Sequence, residues 1–202
     1  AGLLLLAFIG HATAVFCGGW QGADARVMWW LHAQAGPGLD RFNLLISAVG
    51  HEWGVIPVGV LLVLGLVLLR KWRCSLFVLL ATAGSGLLNR TAKELFSRER
   101  PQLWPHLSQE TTWSFPSGHA MGSSTLMLVL ILLAWPTRWR YPVMLLALSF
   151  AVLVGVSRPY LGVHWPSDIL AGWLLAAAWV FAVFACMTCQ RGGELCRRTD
   201  FS

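Results

Sequence analysis

The chain has 202 residues, of which 56% are hydrophobic and only 12% are charged, with a mean hydropathy of +0.63. That balance excludes an ordinary soluble domain and points to a polytopic membrane protein. The formal net charge of +6 does not indicate a nucleic-acid partner, because the basic residues are scattered between apolar runs and form no stripe.

The first apolar segment covers residues 1–19. Its opening, AGLLLLAFIGHATAVFC, also fits a signal peptide or a lipobox ending at Cys17. Phe16 is a poor small-residue cleavage position and five more apolar segments follow, so a retained helix is expected. The sequence opens at Ala1 rather than Met, which leaves room for a leader or a few preceding residues. Residues 20–53 carry Trp20, Trp29, Trp30 and Trp53, whose amphipathic rings suit the headgroup level, so an interfacial helical segment is expected.

The remaining apolar segments are 54–69, 74–89, 118–135, 142–156 and 166–188. At about 20 residues per crossing they give an all-α polytopic membrane protein, one domain over 1–202, with six transmembrane helices in a bundle. Some segments are short for a ~30 Å core, so several helices should run on past them. Arg70, Lys71 and Arg73 follow the second segment, Arg138 and Arg140 the fourth, and Arg191, Arg197 and Arg198 the sixth. These place one face, and both termini, in the cytoplasm. Seven basic residues fall on the opposite face, so the bias is persuasive only if most of them have another task. The five cysteines, Cys17, Cys74, Cys186, Cys189 and Cys196, imply no disulfide framework. The C-x-x-C pair Cys186–Cys189 is a weak metal signal, and no metal or cofactor is expected.

Three polar clusters interrupt the expected outer face. In KELFSRERP, Lys93 and Arg100 stand seven apart, about two helical turns, so one helix face would aim both at one anion. In FPSGHA, Pro116 suits a first helical turn, and the N–H groups of Ser117, Gly118 and His119 would open a span and bind an anion. In SRPYLGVHWPSDILAG, Arg158, His164 and Asp168 precede or open the last span. Pro166 suits the first turn of that helix, placing His164 just before it and Asp168 inside it, with the carboxylate reaching back to the imidazole. Singly, each cluster has a bland reading as an interface anchor, a cap or a satisfied histidine. Together, three cations, helix-start donors, two histidines and a carboxylate describe a phosphoryl-transfer site that needs no metal.

The arrangement K-x6-R-P (Lys93, Arg100, Pro101), P-S-G-H (Pro116 to His119) and S-R-x5-H-x3-D (Ser157, Arg158, His164, Asp168) resembles the type 2 phosphatidic acid phosphatase superfamily. That superfamily includes bacterial lipid phosphatases, undecaprenyl diphosphate phosphatases and soluble vanadium haloperoxidases. The resemblance covers residues 93–168 in detail. It implies that His164 attacks phosphorus to form a phosphohistidine, that Asp168 orients His164, and that His119 protonates the leaving oxygen and then activates water. Lys93, Arg100, Ser117, Gly118 and Arg158 would bind the phosphoryl oxygens. Arg90, Arg98, Glu99 and His106 lie outside the motifs and are expected to be surface or headgroup contacts.

With Lys93, Arg100 and Arg158 held by function, four basic residues remain outside against eight inside. The expectation is an integral protein of a cell (inner) membrane with its site facing the periplasm or exterior. Its partners would be membrane lipids and a lipid phosphate or diphosphate substrate: undecaprenyl diphosphate, phosphatidylglycerol phosphate, phosphatidic acid or a lipid A phosphate. Alternatives are a lipid phosphotransferase using the same intermediate, a vanadate-dependent oxidase, which the hydropathy disfavours, and a non-catalytic lipid binder, which would need cations but no acid and nucleophile. Nothing in the sequence specifies an oligomeric state.

Overall fold

A computed structural model describes residues 1–106, 108 and 110–189. Arg191, Cys196, Arg197 and Arg198 lie outside the described residues. The described chain forms eight α-helices: α1 (Gly2–Phe16), α2 (Gln21–His32), α3 (Pro37–Val49), α4 (Val55–Leu68), α5 (Trp72–Phe96), α6 (Gly118–Ala134), α7 (Arg140–Tyr160) and α8 (Pro166–Cys189). Each apolar segment read from the sequence forms a helix. The 20–53 region forms two helices, α2 and α3, where one interfacial segment is expected.

Local chemistry sets the helix ends. At the end of α5, Ser97 takes a left-handed conformation with φ of 43°, which stops the helix before Arg98. Ser117 caps α6, its hydroxyl facing Ala120 N at 3.5 Å. Pro116 therefore precedes the cap, two positions before the first helical residue, outside the first turn expected for it. Pro166 opens α8, and Asp168 lies in its first turn. Between α1 and α2 the chain bends by 89°, with Gly18 at φ +83° in the elbow.

Helix α6 packs on α7 and α8, α1 lies along α8, and α5 fits between α4, α6 and α8. One apolar core joins Phe8, Phe115, Met121 and Leu175 near the site end. A second joins Leu66, Phe77, Val78, Val129 and Val180 deeper in the bundle. The outward faces are also apolar: Leu3, Leu61, Leu68, Leu145 and Leu146 are exposed, while Arg158, His164 and Asp168 are buried. An apolar exterior with the charged groups turned inward is what a hydrocarbon surrounding demands.

By length and apolarity α7 and α8 qualify singly as membrane spans, α1 with α2 qualifies as one bent pair, and α4 and α6 are shorter apolar helices. The six-span layout is thus supported at the level of helices rather than of crossings. Trp30 and Trp53 are exposed, as a headgroup position requires. Trp20 instead packs edge-on against His11, with ring centroids 5.0 Å apart. Cys17, Cys186 and Cys189 are free and exposed, so the C-x-x-C pair carries free thiols. Cys74, buried, is disulfide-bonded, an exception to the reading of a chain without a disulfide framework.

Candidate active site

The site forms where α5 and α7 end and α6 and α8 begin. The 97–117 connection supplies Arg100, Glu110, Thr112 and Ser114, and the short α7–α8 turn supplies His164. Gly162, at φ +81°, lets that turn close; a Cβ there would stand 2.6 Å from Trp104 Nε1, so the position tolerates little but glycine.

His164 is 1% exposed. Asp168 Oδ2 lies 3.5 Å from its Nδ1, and Ser114 Oγ bridges the two, 3.2 Å from Nδ1 and 2.5 Å from Oδ2. With the proton on Nδ1, the ring donates to Ser114 Oγ and the Ser114 hydroxyl donates to Asp168. Oδ2 also accepts the Trp165 N–H at 3.0 Å, the reach-back of an acidic residue at the third helical position to the capping residue. The opposite nitrogen, Nε2, is 3.2 Å from Arg100 Nη1. Burial pushes the His164 imidazole well below the usual histidine value, and Arg100, Arg158 and Lys93 push it the same way. A neutral imidazole with its Nε2 lone pair facing a cationic region is chemically a nucleophile.

The cations converge by a route the spacing does not show. Arg100 lies beyond the end of α5, so it shares no helix face with Lys93. The two meet instead on the 97–117 connection: Lys93 Nζ donates to Thr112 Oγ1 at 2.8 Å and to the Trp113 carbonyl at 2.5 Å. Arg100 donates to the Thr112 carbonyl at 2.8 Å and the Val163 carbonyl at 2.7 Å. Burial lowers the Arg100 value, opposed by Glu110 and Asp168. Arg158, 1% exposed, donates to Ser47 Oγ and to Glu110 Oε1. Glu110 Oε2 stands 3.5 Å from Arg100 Nη2, so a single carboxylate joins Arg100 and Arg158.

At the start of α6, the Ser117 N–H is donated to the Asp168 carbonyl at 3.1 Å and so is not the open donor expected. Gly118 and His119 occupy the next two positions, whose N–H groups have no intrahelical acceptor. A Cβ at Gly118 would lie 3.1 Å from Asn89 Oδ1 and 4.0 Å from Lys93 Cε, so the absence of a side chain keeps the Lys93 stem close to the helix start. His119 packs against His51, ring centroids 4.6 Å apart. His51 Nδ1 is buried without a partner, and burial lowers that imidazole's value, with Glu52 and Glu110 opposing.

Sequence reading missed Glu110, Ser114, Thr112 and His51. It also misplaced Arg98, expected as a surface contact: its guanidinium binds Asp168 Oδ1 at 2.5 Å and Asp24 Oδ2 at 3.2 Å. Arg90 and Glu99 are exposed, and His106 Nε2 pairs with the Pro101 carbonyl at 2.6 Å. Among the described residues, no group of three or more His, Cys, Asp or Glu side chains is placed to hold a metal ion.

A cavity of about 540 Å³ opens from His51 and Gly118 and is lined by apolar residues of α4, α5 and α6, among them Val55, Val60, Leu64, Leu79 and Met121. From Val55 to Leu64 it follows α4 for about 14 Å at 1.5 Å per residue.

Comparison with known proteins places this geometry among relatives. The family model of the PAP2 superfamily matches residues 75–191. Phosphatidylglycerophosphatase B of Bacillus subtilis is 32% identical over 185 residues, 89% of this chain and 91% of the relative. Undecaprenyl-diphosphatase of Sulfolobus acidocaldarius is 32% identical over 147 residues, 70% of this chain and 67% of the relative. The crystal structure of a transmembrane PAP2-type phosphatidylglycerolphosphate phosphatase from Bacillus subtilis superposes with a TM-score of 0.85 at 30% identity, covering 95% of this chain and 97% of that one. The structure of Aquifex aeolicus LpxE shares the fold with a TM-score of 0.65 at 23% identity, over 79% of this chain and 93% of that one.

Proposed function

The chain belongs to the PAP2 superfamily, and on that premise we propose that it is a membrane phosphatase that removes the terminal phosphate of a lipid phosphate through a phosphohistidine on His164. The observation that carries the reading is the ordering around one buried imidazole: Nδ1 is tied through Ser114 to Asp168, while Nε2 faces Arg100.

In the first step Nε2 of His164 forms the N–P bond as the P–O bond to the leaving group breaks, and His119 gives its proton to the leaving oxygen. The Nδ1 proton stays on the Ser114–Asp168 side, which balances the positive charge that develops on the ring. Lys93, Arg100, Arg158 and the N–H groups of Gly118 and His119 hold the phosphoryl oxygens. Ser117 contributes by capping α6 and locking it to Asp168. In the second step water attacks phosphorus, His119 takes the proton, and inorganic phosphate leaves as the N–P bond breaks.

The cavity supports a lipid substrate. Its length is about half of a ~30 Å hydrocarbon core, the depth of one leaflet, and it begins at Gly118 and at His51, whose ring packs against His119. Of the substrates named for its relatives, phosphatidylglycerol phosphate is the first to test, because that relative aligns over nearly its whole length; undecaprenyl diphosphate is the second. The membrane reading has six crossings, cytoplasmic termini and a site facing the periplasm or exterior.

Replacement of His164 by Ala should abolish phosphate release from the purified, detergent-solubilised protein on both lipids. Turnover retained by a normally folded variant overturns the nucleophile assignment. Hydrolysis of neither lipid by the wild type overturns the substrate class.

A further inference from the structure

One set of charges stands behind the His164–Asp168 pair. Asp24, on α2, is 1% exposed and lies outside residues 75–191 that the family model matches. Its Oδ1 accepts the Ser167 N–H at 2.9 Å, and its Oδ2 accepts the Ser167 hydroxyl at 2.5 Å and Arg98 Nη2 at 3.2 Å. The other arm of Arg98, Nη1, donates to Asp168 Oδ1 at 2.5 Å and to Ser167 Oγ at 2.8 Å. Asp168 turns its second oxygen, Oδ2, toward Ser114 and His164. Charges of alternating sign thus run from α2 to the imidazole.

The division of labour within Arg98 is the informative feature. A guanidinium presents a planar fork that matches both oxygens of one carboxylate. Here the fork is split between two carboxylates, so Asp168 surrenders only Oδ1 to Arg98 and keeps Oδ2 for the dyad. Without the Asp24 charge, the fork is free to close on Asp168 and draw Oδ2 away from His164. Asp24 also accepts the Ser167 N–H in the first turn of α8, and His11 Nε2 pairs with the Ser167 carbonyl at 2.8 Å. These contacts fasten the α1–α2 elbow to the helix start that carries Asp168.

We infer that Asp24 is a positioning residue for the reaction, acting through Arg98 and Ser167 to hold Asp168 Oδ2 on His164. This rests on the reading of His164 as nucleophile. A cap that only stabilises α8 would lower Tm and leave turnover per folded molecule intact, so the kinetics separate the two roles.

The test compares Asp24→Asn, Arg98→Gln and the double variant as purified full chains, with a soluble aryl phosphate and with phosphatidylglycerol phosphate. Asp24→Asn keeps the shape and removes the charge. It should lower kcat about tenfold or more, by analogy with the outer partners that orient metal-ligating histidines, with KM held within about twofold. Arg98→Gln should do the same, and the double variant should be no worse than the worse single one, because the two residues act as a unit. A wild-type kcat in Asp24→Asn with a lowered Tm overturns the inference, as do losses that multiply in the double variant. If Asp24→Asn does not accumulate, Arg98→Gln decides, because Asp24 acts through Arg98: its kcat should fall about tenfold or more with KM held, and a wild-type kcat in it overturns the inference. Turnover surviving in His164→Ala would instead remove the nucleophile reading beneath it.

Discussion

On its Nε2 side His164 faces charge of one sign. Burial and then Arg100, Arg158 and Lys93 all disfavour the imidazolium, and the inactive form of a nucleophilic histidine is the protonated one. A lowered value therefore means that acid must be stronger to silence it. In a kcat/KM profile from about pH 4 to 9, the acid limb belonging to His164 should fall below the ordinary histidine value of about 6.5. A limb at or above that value, assigned by loss of the phosphohistidine, overturns the prediction. The same shift has a stability consequence of the opposite sense: the unfolded chain binds a proton near pH 6.5 that the folded chain refuses, so this residue's effect on stability worsens as pH drops through and below that value. Residues legible in the sequence at this scale are those whose type and spacing carry the chemistry, such as Arg158, His164 and Asp168. Ser114, Glu110 and Asp24 were not legible, because each acts through a partner 48 to 143 positions away. Arg98 had a weak signal, a second arginine two positions before Arg100 in a chain that otherwise spends few charges.

Close helix contacts seat the start of α6 against α8. Gly172 of α8 crosses the start of α6 so closely that a Cβ would lie 2.9 Å from the Ser117 carbonyl oxygen and 3.2 Å from Met121 N. Both obstacles are backbone, and Ser117 is itself tied to Asp168. Gly172→Ala therefore has two opposed effects: up to about 1 kcal/mol gained from helix propensity against about 1–3 kcal/mol lost to overpacking. Because neither backbone atom can swing aside, overpacking should win, lowering Tm and reducing kcat about tenfold or more as Gly118 and His119 shift away from His164. Gly65→Ala on α4 is the control, since a Cβ there meets nothing within 4 Å; it should raise Tm slightly and leave kcat unchanged. Equal losses in the two variants would contradict the close-crossing argument. The sequence showed that a helix begins near Gly118 and another near Pro166. Their mutual approach was not legible, since small residues at 118, 155 and 172 announce close packing only once the partner helix is known. The same limit applies to Lys93 and Arg100: their spacing suggests one helical face, but Ser97 ends the helix and the meeting point is Thr112.

At the scale of the whole molecule, the two ends of the bundle differ in what their cations do. The end away from the site carries Arg70, Lys71, Arg73, Arg138 and Arg140 at the α4–α5 and α6–α7 connections. Arg73 donates to the Met187 carbonyl at 2.9 Å, joining the start of α5 to the end of α8. Arg138 and Arg140 lie over the rings of Trp139 and Tyr141 at 5.4 and 4.7 Å, the pairing of cation and amphipathic ring suited to a membrane interface. At the site end, Arg100, Arg158 and Lys93 direct their charge at His164, and Arg98 is bound between Asp24 and Asp168. Removing Arg98 from the four uncommitted outer cations leaves Arg26, Arg41 and Arg90 as the basic residues there without such a task. The charge asymmetry that orients a membrane protein is therefore steeper than raw counting gives, which supports the proposed exterior site. An impermeant thiol reagent on intact cells checks this in a chain whose exposed Cys17, Cys186 and Cys189 are replaced by Ser. Trp53→Cys, exposed beside the site end, should label in intact cells, whereas Arg138→Cys should label only after permeabilisation. The reverse pattern would place the proposed phosphatase chemistry on the cytoplasmic leaflet and require a different pool of lipid phosphate.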